Sequence, residues 1–528
     1  MTLQPLQRSN QNDLIFYQSI IDNKDSSVED NVENDDTAQH HHHNFSTTVY
    51  YPQRWMVLLA FSWLSFMNNW IWITWSPFTP HVARYWDVST SSVDDLSAVF
   101  MYVYIIMSVP FLQFLNVYKL RTGLIVGGCF NAAGAFVRYW GHSSFPWVYI
   151  GTVLCAMCQA LTLAMPPLIS TLWFREKERG LSTSLGVLAN QLGSAVGLGA
   201  TIVPVNFTTT NYENGTDSTD FINPIKLEQY LALQFILSVS SLALILVGVR
   251  SSAPPTPPSQ AAAHLMTMDD DNNNGGDDDN SLNNKHEIQT PSYSESVGMV
   301  LSTKSGIALC IVYGMTVGVL YALATFLAQL FDSGQQHHPN GTSIGSNRHN
   351  KNININNNYR SWSAKEVGYL GLVLILVGVV GSLVAGIFLD EYRSLHRRLS
   401  IVLLLGSLGS MVPFLWLVEC SPYNRLVAYS ATGLLGFFLT AFISVGFEYG
   451  TAISYPADEA AVAGLLNVSA QIGGWVLVCI GGKNIKSGED SNLNGAVDLV
   501  KVLGSTLVVA LTLLSWLITD KNKRPADA

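Results

Sequence analysis

Charged side chains are scarce in this chain, at 12% of 528 residues, while 48% are hydrophobic. So little charge over such a length excludes an ordinary water-soluble globule and points to a lipid bilayer. No apolar signal-peptide core is evident, since the first hydrophobic run begins only near Trp55. Cysteine is sparse too. Of six scattered cysteines, Cys155 and Cys158 are spaced CxxC but have no second pair, so they read as small packing residues. The tract His40–His43 lies in a polar tail and reads as incidental. No metal and no cofactor is therefore expected. HExxH, a clustered His/Asp pattern and a nucleophile constellation are all missing, which argues against an enzyme.

The formal net charge of −10 has a narrow origin. Residues 1–49 carry eight acids against Arg8 and Lys24, and residues 250–300 carry eight against Arg250 and Lys285. Both segments are polar and of low complexity, and they read as a disordered acidic tail and a disordered acidic linker. Acidic segments repel phosphate, so nucleic acid is not an expected partner. Between and after them lie two apolar blocks, 50–249 and 301–519, followed by a short tail, 520–528.

Twelve apolar stretches are long enough to cross a hydrocarbon core of ~30 Å at ~1.5 Å per residue. They run roughly 55–79, 95–115, 122–141, 146–173, 181–204, 227–249, 302–331, 366–389, 399–419, 425–449, 459–482 and 497–519. Lys119 and Arg121, then Arg175, Lys177 and Arg179, then Arg393, Arg397 and Arg398 fall in short even-numbered loops. By the positive-inside rule those loops are cytoplasmic, and with an even count both termini are too. The sequons at Asn206, Asn214 and Asn340 then face outward as glycosylation candidates, the last in an Asn-rich loop, 332–363. The prediction is an all-α membrane protein, a monomer, most naturally in the plasma membrane.

The two blocks repeat one another. FLNVYK (Phe114–Lys119) follows the second stretch and FLDEYR (Phe388–Arg393) the eighth, 274 residues later. ANQLG (Ala189–Gly193) in the fifth matches SAQIG (Ser469–Gly473) in the eleventh, with Gln191 and Gln471 in register. Trp72 and Tyr321 form a looser third match. Two pseudo-symmetric six-helix bundles follow, packed about a central path and rocking to give alternating access. That layout is similar to the major facilitator superfamily, and the two loops look like worn copies of its gating motif. Asn116, Tyr118, Lys119 and Arg121, with Asp390, Tyr392, Arg393, Arg398 and Glu448, are the gating candidates, Asn116 standing where an acid is usual.

Counted from the cytoplasmic starts of their helices, Gln191 and Gln471 fall near the bilayer middle, and Trp72 and Tyr321 about one storey further out. An amide at that depth needs polar partners or a wet cavity. At ~100° per residue, Trp72, Trp75 and Asn68 share a face while Trp70 points elsewhere, so the first three are expected to line the path and Trp70 to pack or anchor. No Asp, Glu, Lys, Arg or His lies in the central turns, which disfavours a proton relay. Aromatic faces and amides without a carboxylate suit a diffuse, weakly hydrated cation such as a quaternary ammonium. The membrane potential would draw such a solute inward, so a uniporter suffices.

YPQRWMVLLAFSWLSFMNNWIW, LANQLGSAVG, VYGMTVGVLYALATFLAQ and SYPADEAAVAGLLNVSAQ together resemble the feline leukaemia virus subgroup C receptor-related transporters. The resemblance covers the helices and not the tails. It implies choline or ethanolamine transport, with haem export as the alternative and a non-transporting receptor on the same scaffold as a third reading. It also implies that Trp72 and Tyr321 cage the ammonium while Gln191 and Gln471 face the solute. Haem would want a central His, Arg or Lys, and none is present. Asn116, Ala328 and Ala452 depart from the family pattern.

Overall fold

The computed structural model describes residues 51–199, 208–213, 217–258, 293–331, 362, 364–392, 395–420, 425–454, 457, 459–487 and 492–518, and among these, eleven helical passes and a further, more polar helix succeed one another. The three sequons, the tail 1–49 and Arg393 lie outside these residues. The end of the bundle at which the first pass begins is called the near end, and the opposite one the far end.

The first pass is broken, although its sequence pattern predicts one helix over 55–79. Helix α1 (Gln53–Ile73) gives way to a 3-10 turn (Ser76–Phe78) and then α2 (Thr79–Trp86), so the pass runs on to Trp86. Pro77 and Pro80 explain the break, because neither can donate to the helical ladder. Asp87 then takes a left-handed conformation (φ 52°), and Ser89 caps the next helix by accepting from the Ser92 amide.

One helical run, Thr90–Trp140, holds the second and third passes, interrupted at Lys119 (φ 65°, ψ 172°). Its two apolar spans are α3 (Thr90–Leu115) and α4 (Val117–Trp140), with Asn116 helical between them and the kink at Lys119 falling in the first residues of α4. The fourth pass is also broken, into α5 (Phe145–Thr162) and α6 (Met165–Trp173), with Pro166 and Pro167 opening the second piece. The fifth is α7 (Glu176–Leu198). A small antiparallel hairpin, β1 (Thr208–Glu213) with β2 (Asp217–Ile222), follows it, an addition to the all-helical prediction. The sixth pass is α8 (Pro224–Gly248), capped by the Asn223 carboxamide.

The segment expected to be a disordered linker from residue 250 starts as packed chain. Ser252 accepts from Trp173 through its carbonyl (3.1 Å) and from the Arg121 amide through its hydroxyl (3.1 Å). It ends in a short helix, α9 (Tyr293–Ser302), inside the predicted linker. The remaining passes are α10 (Lys304–Phe331), α11 (Ala364–Glu391), α12 (His396–Cys420), α13 (Arg425–Ser454), α14 (Glu459–Ser487) and α15 (Asn492–Leu517).

Eleven of the described passes are long and apolar enough to cross a membrane by composition. The twelfth, α7, opens on Glu-Lys-Glu-Arg-Gly and carries Asn190 and Gln191, so its polarity rather than its length sets it apart. Large apolar side chains such as Trp516, Leu426 and Val247 are exposed on the outer surface, as a bilayer solvent requires. The first and seventh passes are the most enclosed, with 72% and 78% of their apolar windows buried, which makes them the innermost helices.

The repeat has a geometric counterpart. Phe114 and Tyr118 stack at 4.8 Å and 33°, and their matches Phe388 and Tyr392 at 4.9 Å and 31°. Arg121 Nε donates to the Val249 carbonyl at the end of α8 (3.0 Å), and Arg397 donates to Ser515 O near the end of α15 (2.8 Å). In each half an arginine near the start of the third pass of that half thus caps the closing helix, where terminal carbonyls lack partners. A β-carbon on Gly193 would lie 2.2 Å from Phe66 O of α1, and one on Gly473 only 2.0 Å from Gly314 O of α10. Equivalent glycines therefore let α7 press on α1 and α14 on α10.

Candidate functional site

Trp72 and Tyr321 meet edge to face where the two halves adjoin, with ring centroids 5.3 Å apart and planes at 72°. Trp72 ends α1 just before the break, and its Nε1 donates to Ser97 O of α3 (3.1 Å). Ser97 Oγ returns a long bond to Trp72 O (3.4 Å). With the indole edge fixed in this way, the ring face is the surface left to a solute. Tyr321 is half-buried, and a β-carbon on Gly474 of α14 would lie 2.9 Å from its Cδ2 and 3.1 Å from Met101 Sδ.

The glutamines lie one level nearer the near end. Gln471 is buried and precedes Gly474 by three residues, about one helical turn below Tyr321. Gln191 is half-buried and precedes Gly193, which abuts Phe66 and Trp70 one turn below Trp72. Two residues are ~200° of helix, so both glutamines turn away from the helix that their neighbouring glycine touches.

The other candidates separate from the ring pair. Asn68 is fully buried against α4 and α5, its Nδ2 donating to Asn131 Oδ1 (3.0 Å) and Cys155 O (2.8 Å). Trp75 lies just before the 3-10 turn, still with a right-handed helical backbone, yet its ring is held inside the first half and not at the boundary. It packs on Trp86 (5.1 Å, 74°), and the Arg138 guanidinium lies over its ring at 5.1 Å. Trp70 donates to the Tyr230 hydroxyl (2.9 Å) and is buried, which makes it a packing residue.

Among the gating candidates, Tyr118, Tyr392, Arg398 and Glu448 are exposed, Lys119 forms the α3–α4 break and Arg121 caps α8. Asn116 and Asp390 lie within helices. In the second half sequence reasoning named Arg393 and Arg398 for the gate; Arg397, which it left out, is the base that caps α15.

Several residues that the sequence did not single out join the halves at the far end. Ser76 Oγ, buried in the break, donates to Ala324 O and lies 3.0 Å from Thr325 O of α10. Gln329 Nε2 donates to Asp94 Oδ1 (2.6 Å), and Thr79 Oγ1 reaches the same oxygen (3.5 Å). Within the first half, Asn69 Nδ2 donates to Asn190 O (2.7 Å) and to Ser194 Oγ, while Asn190 Nδ2 donates to Ser65 Oγ (3.2 Å), tying α1 to α7. Toward the near end, Tyr104, Ser108 and Leu115 of the first half and Gly464 and Val468 of the second line a crevice. The proline pattern SPFTP was the one available signal for the far-end contacts.

Two related helical bundles, innermost broken and glycine-packed helices, and an aromatic pair on their shared boundary define a secondary membrane transporter. The profile of the Major Facilitator Superfamily matches residues 58–478, and the chain belongs to that superfamily. It is 27% identical over 439 residues to the choline/ethanolamine transporter flvcr2b of Danio rerio, covering 83% of this chain and 79% of that one. Human choline/ethanolamine transporter FLVCR2 is also 27% identical, with coverages of 82% and 72%. An uncharacterized MFS-type transporter of Caenorhabditis elegans, C09D4.1, reaches 28% identity, with coverages of 90% and 71%. A bacterial homologue of the lysosomal transporter Spinster, solved inward-facing and occupied, shares the fold at a TM-score of 0.59 and 14% identity, covering 90% of this chain and all of that one.

Proposed function

We propose that this protein moves choline, ethanolamine or a similar small organic cation across a membrane by alternating access, as a facilitative uniporter without enzymatic activity. The observation that carries the reading is the contact of Trp72 with Tyr321 across the two halves. An ammonium between the rings would gain about 0.5–2 kcal/mol from each aromatic face, and the gain would change as the halves rock apart. Gln191 and Gln471, a level below, would take the hydroxyl or amine end. The relatives named as choline/ethanolamine transporters support this cargo.

The bonds from Ser76 and Gln329 fit a state closed at the far end and parted toward the near end. With loop arginines at the near end, the positive-inside rule makes that end cytoplasmic, both termini included, and the plasma membrane is the natural site of work. The test is uptake of labelled choline by proteoliposomes holding only this protein, with and without an inside-negative potential, beside Trp72→Ala. Uptake raised by the potential and lowered by the substitution supports the reading; a folded protein that moves no choline and no ethanolamine overturns it.

A further inference from the structure

Arg138, in the last turn of α4, is 1% exposed, and its Nε, Nη1 and Nη2 have no hydrogen-bond acceptor. Its guanidinium lies 5.1 Å from the Trp75 ring centroid, and Trp75 Nε1 is buried without an acceptor too. Four N–H-bearing nitrogens in one buried place thus have no oxygen or nitrogen acceptor, and the Cys155 sulfur beside the guanidinium is only a weak one. Their surroundings are already committed. The Tyr230 hydroxyl accepts from Trp70 (2.9 Å) and, at 3.5 Å, from Gln234. Gly151 presses on the arginine stem, where a β-carbon would come 2.7 Å from Cγ.

Arginine cannot escape such a site by losing its proton, and a buried charge persists only when paired and hydrogen-bonded. Two features offset part of its charge: the face of Trp75 and the negative end of the α4 dipole. Neither supplies an acceptor. Water would satisfy the N–H groups but leave the charge, whereas an anion does both.

We propose that Arg138 and Trp75 form a buried site for a small monovalent anion, with chloride as the physiological occupant. The single positive charge sets the valence, and close packing of the first, third, fourth and sixth passes sets the size. The site lies inside the first half, away from the Trp72–Tyr321 boundary, so the anion is a fixed structural ion that holds the broken first pass and is not the cargo. It stands whether or not the cargo is choline.

The experiment is thermal unfolding of the detergent-solubilised protein with chloride raised from about 5 to about 150 mM, gluconate keeping ionic strength constant, since a ligand that binds only the folded state raises its midpoint by mass action. Labelled chloride is bound to the same preparation. The expected result is a midpoint that climbs with chloride, bromide acting alike, and about one chloride bound per chain. Arg138→Met should flatten the response, and Trp75→Phe, which removes one donor and keeps an aromatic face, should weaken chloride binding several-fold. If Arg138→Met does not fold, chloride binding to the unaltered protein and to Trp75→Phe decides the matter. Wild-type protein that binds no chloride and unfolds at the same temperature throughout overturns the proposal. So does a chloride response abolished by Cys155→Ser, because it would make that neighbouring sulfur, not an anion held by Arg138, responsible.

Discussion

Gln329 donates to Asp94 at 2.6 Å across the far-end boundary between the halves, from the last turn of α10 to the first turns of α3. Both groups are buried, so the bond is made away from bulk water, where a charge-assisted contact is roughly twice as strong as a neutral one. Asp94→Asn combined with Gln329→Ala should loosen this closure and shift the population toward a state open at the far end. Losing about 1.4 kcal/mol changes the ratio of states about tenfold. Labelling of a cysteine introduced at Thr325 by a membrane-impermeant thiol reagent should therefore rise several-fold in the double variant. An unchanged labelling rate would mean that the bond is not part of the closure.

The ring pair predicts a graded response in transport. Trp72→Phe loses the Nε1 bond to Ser97 O and keeps an aromatic face, whereas Trp72→Ala loses both. One face is worth ~0.5–2 kcal/mol to an ammonium, so the alanine variant should raise the choline KM by about 2- to 30-fold. The phenylalanine variant should fall between. Equal defects in the two would show that the hydrogen bond, not the face, is what transport needs.

Gly473 and Gly474 should separate packing from transport. Gly473→Ala drives a β-carbon to 2.0 Å from the backbone oxygen of Gly314, which cannot move aside, so a loss of about 1–3 kcal/mol and a lower Tm are expected. Gly474→Ala meets the ring of Tyr321 at 2.9 Å and the Met101 sulfur at 3.1 Å, and these side chains can shift. It should alter the choline KM with a smaller change in Tm, measured on the same preparations.

Asn68→Leu should unfold earlier and leave the KM alone. The substitution strips Asn131 Oδ1 and Cys155 O of their buried donor, at a cost of about 1–3 kcal/mol. A raised KM with an unchanged Tm would restore Asn68 to the solute path.

The passes and the two-fold repeat were legible because bilayer solvent imposes long apolar runs, and because FLNVYK and FLDEYR occupy equivalent places. Trp72 and Tyr321 could be paired from that repeat alone. Trp75 could not. Its ring packs on Trp86 and under the Arg138 guanidinium, partners that lie far along the chain and that helical phase counted from Trp72 does not reveal. Asp94 and Ser76 were passed over for a related reason. Near a helix end, a polar residue has the same sequence signature whether it meets water or a second bundle. Arg138 stands at a helix end, where a base is ordinary in a sequence, so it was not singled out, and only its burial sets it apart.

The far-end contact of Ser76 ends on main-chain oxygens of α10 and not on side chains. A latch that grips the peptide backbone is indifferent to what side chains that helix carries. Residues of α10 such as Tyr321, proposed to meet the solute, could therefore be exchanged, and the cargo retuned, while the door still shuts on the same carbonyls.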